Sequence, residues 1–291
     1  MTRAQGLAVY TRTAGLAAAP VIRRYSNSFR LATSLFPRRT RGAIESIYAL
    51  VRVADEIVDG TAGEAGLDLV EQRERLDELE AETTRAIATG FSANLVVQAF
   101  ADVARRCAIP PEPLRAFFAS MRRDLATVDL DDAEYREYIH GSAEAVGLMC
   151  LRVFVEGHAV PPATLADLEA GAPRLGAAFQ KVNFLRDLGH DTQSLGRAYF
   201  PGLAPGAIDE PAKAAIVAEI AADLAAARAV IPRLPKDCRR AVRVATDIFA
   251  ELLRRIDRTP AARLAHERVS VPAPVKARIA LRWTLTPWAA A

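Results

Sequence analysis

The chain has 291 residues, of which 51% are hydrophobic and 25% charged, so it can bury a sizeable core in one large domain or two smaller ones. Its formal net charge of +3 is too small to indicate a nucleic-acid-binding protein, and no Lys/Arg run is interleaved with aromatic residues. Cys107, Cys150 and Cys238 have neither metal-ligand nor CxxC spacing, so we expect buried thiols in a reducing cytoplasm.

The N-terminal segment only superficially resembles a secretory signal. Its apolar run, Leu16 to Ile22, is short, contains Pro20 and leads into Arg23 and Arg24 without a convincing cleavage site. No stretch of about 18 or more apolar residues follows. We therefore expect a soluble cytoplasmic protein, and peripheral contact with a membrane surface for product release stays open.

Nearly every segment has the period of an α-helix, and alternating strand patterns are absent. Prolines and glycines separate the periodic segments, and neither a fixed-period repeat nor a low-complexity linker divides the chain. We therefore predict one all-helical domain over residues 1–291. The predicted helices are near 21–36, 41–60, 67–89, 93–108, 112–127, 133–157, 163–191, 212–232, 236–257 and 273–284.

The predicted helix at 41–60 carries a polar stripe on an otherwise apolar surface. At about 100° per residue, Tyr48, Arg52, Asp55 and Asp59 fall within an arc of about 60°. Carboxylates one turn apart repel each other by about 0.2–0.5 kcal/mol even on an exposed helix. A buried helix with such a pair therefore indicates a bound cation, and oxygen ligands without His or Cys in register favour Mg²⁺ over zinc.

The predicted helix at 67–89 provides an internal comparison. Glu74, Glu78 and Glu82 also form acidic i,i+4 pairs, but this segment is charged on several faces and is typical of a solvated outer helix. An acidic pair by itself is therefore weak evidence for a metal site.

The predicted helix at 163–191 repeats the first arrangement. Gln180, Asn183, Asp187 and Asp191 fall within a similar arc, and apolar residues occupy most of the remaining surface. Two apolar helices that both carry inward-facing acids predict a shared, lined cavity.

These stripes and four further segments resemble the motifs of the squalene/phytoene synthase family, closest to its bacterial phytoene synthases. The two aspartate-rich motifs are Arg52-x-x-Asp55-Glu56-x-x-Asp59 and Asn183-x-x-Arg186-Asp187-x-x-x-Asp191. The other matches are Tyr25-Ser26-x-Ser28-Phe29, Ser142-Ala143-Glu144-Ala145-Val146-Gly147-Leu148-Met149-Cys150, Gly196-Arg197-x-Tyr199-Phe200-Pro201 and His266-Glu267-Arg268-Val269. Each segment alone is weak, but the ordered set is specific.

The resemblance implies an all-helical isoprenoid synthase fold around a deep apolar channel. It also implies a prenyltransferase of carotenoid biosynthesis that condenses two geranylgeranyl diphosphates head to head, through prephytoene diphosphate, to phytoene. Mg²⁺, with Mn²⁺ as an alternative, is the expected cofactor, and no NADPH is expected. Two alternatives stay open. One is a squalene, dehydrosqualene or presqualene diphosphate synthase that uses farnesyl diphosphate, and the other is a catalytically inactive relative that serves as an assembly or lipid-binding factor.

The resemblance further implies roles for the motif residues. The implied metal ligands are Asp55, Asp59, Asn183, Asp187 and Asp191. The implied catalytic residues are Asp55, Asp59, Asp187, Asp191, Tyr48 and Arg52. The implied substrate-binding residues are Tyr25, Ser26, Asn27, Ser28, Phe29, Tyr48, Arg52, Gln180 and Arg186.

Structural roles are the alternatives for several of these side chains. Ser26 and Ser28 could cap a helix, Arg52 could pair with a carboxylate of its own helix, and Phe29 and Phe179 could belong to the core.

The chain departs from its relatives at four positions, which are Tyr25, His140, His190 and Arg263. His190 stands where relatives have Glu, Tyr25 where many have His, and His140 and Arg263 where many have tyrosine. None of these is one of the carboxylates, so the departures concern the product rather than the metal shell.

Overall fold

The computed structural model describes residues 3–126, 130–190, 200–202 and 208–285. No strand occurs within these ranges, and the prediction of an all-helical protein is confirmed. The helices are α1 (Arg3–Tyr25), α2 (Asn27–Thr33), α3 (Arg38–Val58), α4 (Thr61–Glu64), α5 (Leu69–Thr89), α6 (Leu95–Arg106), α7 (Pro111–Asp124), α8 (Asp132–Ile139), α9 (Ala145–Val155), α10 (Pro162–His190), α11 (Glu210–Val230), α12 (Lys236–Arg258), α13 (Ala261–Leu264) and α14 (Ala273–Leu285).

The two helices that carry the polar stripes lie in different parts of the core. α3 buries residues such as Ile47 and Leu50 in a cluster with α5, α6 and α7. α10 buries Val182 and Leu185 in a second cluster with α11 and α12. α9 packs against both α3 and α10. Each striped helix is therefore anchored in its own hydrophobic cluster, and burial of its apolar residues fixes the position of its backbone.

The structure corrects the prediction for the N-terminal region. In place of one helix at 21–36, α1 extends to Tyr25 and α2 begins after Ser26. Ser26 has extended backbone angles, and its hydroxyl accepts a hydrogen bond from the Phe29 amide at 3.1 Å. Ser26 is therefore the N-cap of α2, which satisfies one of the free amides at the start of that helix.

Close packing of small residues explains why α1 forms. Ala14 and Ala18 are fully buried in a cluster with Ala49 of α3 and Ala99 of α6. This contact compensates for Pro20, which removes a backbone hydrogen bond inside the helix. The alanine-rich segment that weakly resembles a secretory signal is thus part of a packed helix.

The predicted helix at 133–157 is interrupted by a π-helical segment, His140–Glu144, which joins α8 to α9. α10 crosses this segment so closely that a Cβ on Gly176 would lie 2.4 Å from the carbonyl oxygen of Ala143. On the other side, a Cβ on Gly141 would lie 2.2 Å from the carbonyl oxygen of Ala116 in α7. Both helix crossings therefore need glycine.

We expect Gly176→Ala to lower the free energy of unfolding by about 1–3 kcal/mol, because the added methyl group forces two packed backbones apart. Gly15→Ala in α1 is the matched control, since a Cβ there meets no atom within 4 Å. That change should be neutral or stabilising by up to about 1 kcal/mol. Urea denaturation measures both values, and equal stability of the two variants would contradict the close crossing.

α5 is the solvated outer helix that the sequence predicts. Arg75 and Glu78 form an exposed ion pair at 2.8 Å, while Leu76 and Leu79 are buried on the inner face. Among the described helices, none has the length and hydrophobicity that a membrane-spanning segment requires.

Candidate active site

The first stripe lies on the C-terminal half of α3. Tyr48, Arg52 and Asp55 are half-buried, whereas Asp59 is exposed and stands at the C-cap, where its amide donates to the Asp55 carbonyl at 2.7 Å. The helix thus ends at Val58, two residues before the predicted boundary. The carbonyl end of a helix is the negative end of its dipole, so it disfavours carboxylates unless a cation binds there.

Asp55 lies in a strongly acidic environment. Burial raises the pKa of Asp55 well above its ordinary value, and the charges of Asp59 and Asp124 raise it further, whereas Arg52 lowers it. Asp124 accepts a hydrogen bond from the Tyr138 hydroxyl at 2.8 Å. No sequence pattern indicates Asp124, because it reaches this site from the end of α7. A bound cation would relieve the repulsion among these carboxylates.

Arg52 is held at the edge of the first stripe by two contacts. Its Nε donates to Glu56 Oε1 at 2.7 Å, and its guanidinium lies 4.4 Å from the centre of the Tyr25 ring. A longer contact of 3.8 Å joins it to Asp55. The alternative of pairing within the helix is therefore realised, and it positions the guanidinium beside the acidic residues.

The second stripe lies along α10, where Gln180, Asn183 and Asp187 are half-buried. Oδ1 of Asn183 is buried and accepts no hydrogen bond from the part of the chain that the structure describes. A buried acceptor without a donor costs about 1–3 kcal/mol, so this oxygen is a candidate ligand for a cation. Asp191 lies outside the described residues.

Asp187 is held by two arginines. Nε of Arg186 and Nε of Arg268 donate to Asp187 Oδ1 at 3.0 and 2.7 Å. Burial acts to raise the pKa of Asp187, but the hydrogen bonds and charges of Arg186 and Arg268 outweigh it, and this pKa lies below its ordinary value. Lys276 of α14 lies near Arg186, and burial together with the Arg186 charge lowers the pKa of Lys276.

Arg268 is a residue whose role the sequence did not reveal. It stands in the His266–Val269 motif, but only the fold brings this segment to α10. Arg263, the departure in the same region, instead pairs with Glu267 at 2.6 Å, and both side chains are largely exposed.

Aromatic rings connect the first stripe to α10. The Phe29 ring of α2 lies 6.4 Å from Tyr48, 5.7 Å from Phe179 and 5.3 Å from Phe249. Phe249 is buried, whereas Phe29 and Phe179 are half-buried. Burial raises the pKa of Tyr48 to about 12, so its hydroxyl, which hydrogen-bonds Ser26, keeps its proton at neutral pH.

Within the described ranges, no three His, Cys, Asp or Glu side chains are placed to hold a metal ion together. The residues nevertheless fit a hard cation. Asp55 has carboxylate neighbours that raise its pKa, and Asn183 has a buried oxygen without a donor. Carboxylate and amide oxygens are ligands of the kind that Mg²⁺ takes. Metal binding would require Asp187 to exchange its arginine contacts.

Several predicted positions have another role or cannot be placed. His140 Nδ1 lies 3.0 Å from Glu144 Oε2 within the π segment. Asn27 and Ser28 form the first turn of α2. The structure does not describe the side chains of Asn27, Ser28 and His190, and Tyr199 lies outside the described ranges altogether.

The sequence pattern of squalene/phytoene synthases matches residues 22–203, more than half of the chain. The phytoene synthase of Arthrospira platensis is 34% identical over 191 residues, which cover 61% of this chain and 58% of that protein. The chloroplastic phytoene synthase 3 of Zea mays is 33% identical over 192 residues, 62% of this chain but 41% of the maize protein. The 15-cis-phytoene synthase of a Paracoccus strain is 31% identical over 259 residues, 83% of this chain and 81% of that protein.

Solved structures agree in fold. A dehydrosqualene synthase superposes with a TM-score of 0.78 at 22% identity, covering 94% of this chain and 96% of that one. Squalene synthase HpnC from Alicyclobacillus acidocaldarius gives a TM-score of 0.72 at 23% identity, covering 86% and 95%. At these identities the likeness establishes the helical isoprenoid synthase fold alone. The sequence match over residues 22–203 goes further, and by it the chain belongs to the squalene/phytoene synthase family.

Proposed function

We propose that this protein is a Mg²⁺-dependent prenyltransferase that joins two molecules of geranylgeranyl diphosphate head to head and forms phytoene. The observation that carries this proposal is the pair of polar stripes on α3 and α10 beside an aromatic cluster. The similar proteins named phytoene synthase support the choice of product. Substrate length needs a test, because a 29% identical protein of Staphylococcus haemolyticus, matched over 62% of this chain and 59% of its own length, is a 4,4'-diapophytoene synthase.

In this proposal, Mg²⁺ ions would be held by Asp55, Asp59, Asn183, Asp187 and Asp191, and Mn²⁺ could replace them. A bound metal ion neutralises diphosphate charge and makes diphosphate a better leaving group. The protein's own contribution is to bring carboxylate and amide oxygens together, of which Asp55 lies in an acidic environment and Asn183 has a buried oxygen without a described donor.

Arginine side chains would bind the phosphate oxygens. Arg52 belongs to the first stripe, and Arg186 and Arg268 both donate hydrogen bonds to Asp187. A guanidinium donates two parallel hydrogen bonds to phosphate, so these three residues could fix the orientation of both diphosphates. Arg186 and Arg268, which bind Asp187 in the structure, would be available to the substrate if Asp187 served as a metal ligand.

Hydroxyl and amide groups would complete the binding of substrate. The protonated Tyr48 can donate to a phosphate oxygen, and Gln180 is placed one turn before Asn183 for the same purpose. The junction where α1 ends and α2 begins, with Tyr25, Ser26, Asn27 and Ser28, is proposed to bind the second diphosphate.

The aromatic cluster would protect the reacting carbon atoms. The faces of Phe29, Phe179 and Phe249 attract a carbocation without reacting with it. They also exclude water, so the cation can lose a proton before water captures it as an alcohol. Proton loss needs no reductant, in agreement with a reaction that does not use NADPH.

Product analysis tests this proposal. Pure protein incubated with geranylgeranyl diphosphate and Mg²⁺, without NADPH, should form phytoene, which chromatography of the organic extract detects. EDTA should stop the reaction, and farnesyl diphosphate should be a much poorer substrate.

Two other results would exclude parts of the proposal. A product formed only from farnesyl diphosphate, or only with added NADPH, rejects phytoene as the product and retains the metal site. Absence of any product from a folded protein favours the catalytically inactive relative.

A further inference from the structure

The N-terminal part of the chain has a charge distribution unlike the rest. Residues 1–44 contain eight arginines and no Asp, Glu or Lys, although the whole chain is nearly balanced with 38 basic and 35 acidic residues. This segment forms α1, α2 and the start of α3. The fold therefore gathers an excess of positive charge in one region.

A cleft of 1280 Å³ lies between these helices and α6. Arginine is its most frequent charged lining residue, with eight side chains against the two acids Glu45 and Asp102. The lining arginines are Arg12, Arg23, Arg30, Arg38, Arg39, Arg41, Arg105 and Arg106.

Four of these arginines are already engaged by the protein. Arg39 and Arg106 both bind Glu156. Arg41 donates to the Ser34 carbonyl at 2.7 Å, and Arg105 donates to the Ile87 carbonyl at 2.6 Å. These contacts hold the walls of the cleft in place.

The other four, Arg12, Arg23, Arg30 and Arg38, are exposed. Within the described part of the chain, their side chains make no hydrogen bond or ion pair, and Arg23 acts on Glu45 only through its charge. Four cations lining one cleft repel each other, and an anion bound among them would relieve this repulsion.

The two acids of the cleft do not offset this charge. Asp102 lies 3.9 Å from Arg106, which already binds Glu156. Burial raises the pKa of Glu45 even though Arg23 and Arg41 act to lower it. Two carboxylates, even when both are ionised, leave the eight arginines of the cleft in excess.

The cleft is separate from the candidate active site. None of the residues assigned to metal or substrate binding lines it. Glu45 and Asp55 are ten residues apart on α3, which corresponds to about 15 Å along the helix. The two regions also differ in charge, since the stripes combine carboxylates with arginines, whereas arginines are in large excess in the cleft.

We infer that this cleft is a second ligand site, which binds a phosphate-bearing anion that also carries apolar groups. Guanidinium groups bind phosphate oxygens in pairs of parallel hydrogen bonds. Leu7 and Leu16 line the same cleft and are 47% and 70% exposed, so apolar surface adjoins the arginines. The ligand is either the headgroup of an anionic phospholipid or a soluble diphosphate.

Binding in EDTA distinguishes the two sources. Without metal, the acidic stripes disfavour diphosphate, so pyrophosphate binding in EDTA that depends on the cleft arginines reports on the cleft. Calorimetric titration with pyrophosphate is one arm of the experiment. Flotation with phosphatidylglycerol vesicles, compared with phosphatidylcholine vesicles, is the other.

The cleft variant is Arg23→Gln with Arg38→Gln. The matched control is Arg73→Gln with Arg85→Gln, which removes the same charge from exposed positions on α5. We expect the cleft variant to bind at least about tenfold more weakly, equivalent to about 1.4 kcal/mol. The control should stay within twofold of wild type.

Pyrophosphate binding that the cleft variant weakens identifies a soluble ligand, and binding to anionic vesicles alone that the cleft variant weakens identifies a lipid headgroup. Binding of either kind that the cleft variant leaves unchanged overturns the inference. The inference is overturned if the folded wild type binds neither. It is also overturned if the control variant loses as much affinity as the cleft variant. Circular dichroism of each variant checks the fold.

Discussion

Asp55→Asn should reduce turnover about 1,000-fold and, without metal, should make the protein more stable. The loss of activity follows from removing one oxygen ligand, which should cost about 4 kcal/mol of leaving-group stabilisation. The gain in stability follows from the environment of Asp55. Burial and the neighbouring charges of Asp59 and Asp124 make its ionised form unfavourable, and an amide does not ionise.

The ionisation of Asp55 should make the stability of the folded protein depend on pH in one direction. The folded-state pKa of Asp55 is raised above the ordinary value of 3.8, so the folded protein binds this proton more tightly than the unfolded chain does. Stability therefore falls as the pH rises from about 4 through the raised pKa, and the full cost is present above it. In Asp55→Asn this part of the decrease should be absent, and at neutral pH the metal-free variant should melt at a higher temperature.

Thermal melts in EDTA between pH 4 and 8, together with product assays in Mg²⁺, measure both effects. Glu74→Gln is the control, because Glu74 belongs to an acidic i,i+4 pair on the exposed α5. It should leave turnover and melting temperature unchanged. Near wild-type turnover of Asp55→Asn at saturating Mg²⁺ would show that Asp55 is not a metal ligand.

Asp187→Asn should reduce turnover to a similar extent but should change stability in the opposite direction. Burial alone would raise the pKa of Asp187, yet Arg186 and Arg268 lower it below the ordinary value of 3.8. The stabilisation by this carboxylate is therefore present above about pH 4 and is lost as the pH falls through the lowered pKa. The amide weakens both arginine contacts, so the metal-free variant should melt at a lower temperature at neutral pH.

The same melts and assays measure this second variant. The matched control is Asp167→Asn near the start of α10, since Asp167 pairs with Arg233 on the surface and both side chains are about half exposed. Such pairs contribute little, so the control should melt within about 2 °C of wild type. Asp55→Asn and Asp187→Asn variants that shift the melting temperature in the same direction would contradict the contrast between the two carboxylates.

Periodicity within single helices was the predictable part of the fold and of the site. The stripe on α3 and the stripe on α10 follow from residue spacing, because helical geometry alone decides which side chains share a face. The start of α2 was not predicted, because Ser26 caps this helix although the composition does not change between the residues before and after it.

Residues brought in by tertiary contacts could not be predicted. Asp124, Phe249 and Arg268 reach the site from α7, α12 and the segment before α14, and no local pattern relates these elements to α3 or α10. Arg268 belongs to a segment that resembles a family motif, but the resemblance assigned no role to it. The lowered pKa of Asp187, which separates its chemistry from that of Asp55, depends on this long-range contact.

Titration with a non-reactive geranylgeranyl diphosphate analogue is the most direct test of whether the two stripes form one Mg²⁺-dependent diphosphate site. The Arg23→Gln, Arg38→Gln background weakens binding in the arginine-lined cleft. In this background we expect tight binding with Mg²⁺, at least about 100-fold weaker binding in EDTA, and a higher melting temperature when metal and analogue are both present. Asp55→Asn and Asp187→Asn should each remove most of the gain from Mg²⁺, although they lie on different helices. Affinity that EDTA leaves unchanged, or an Asp187→Asn variant that retains the full gain, would contradict a single shared site.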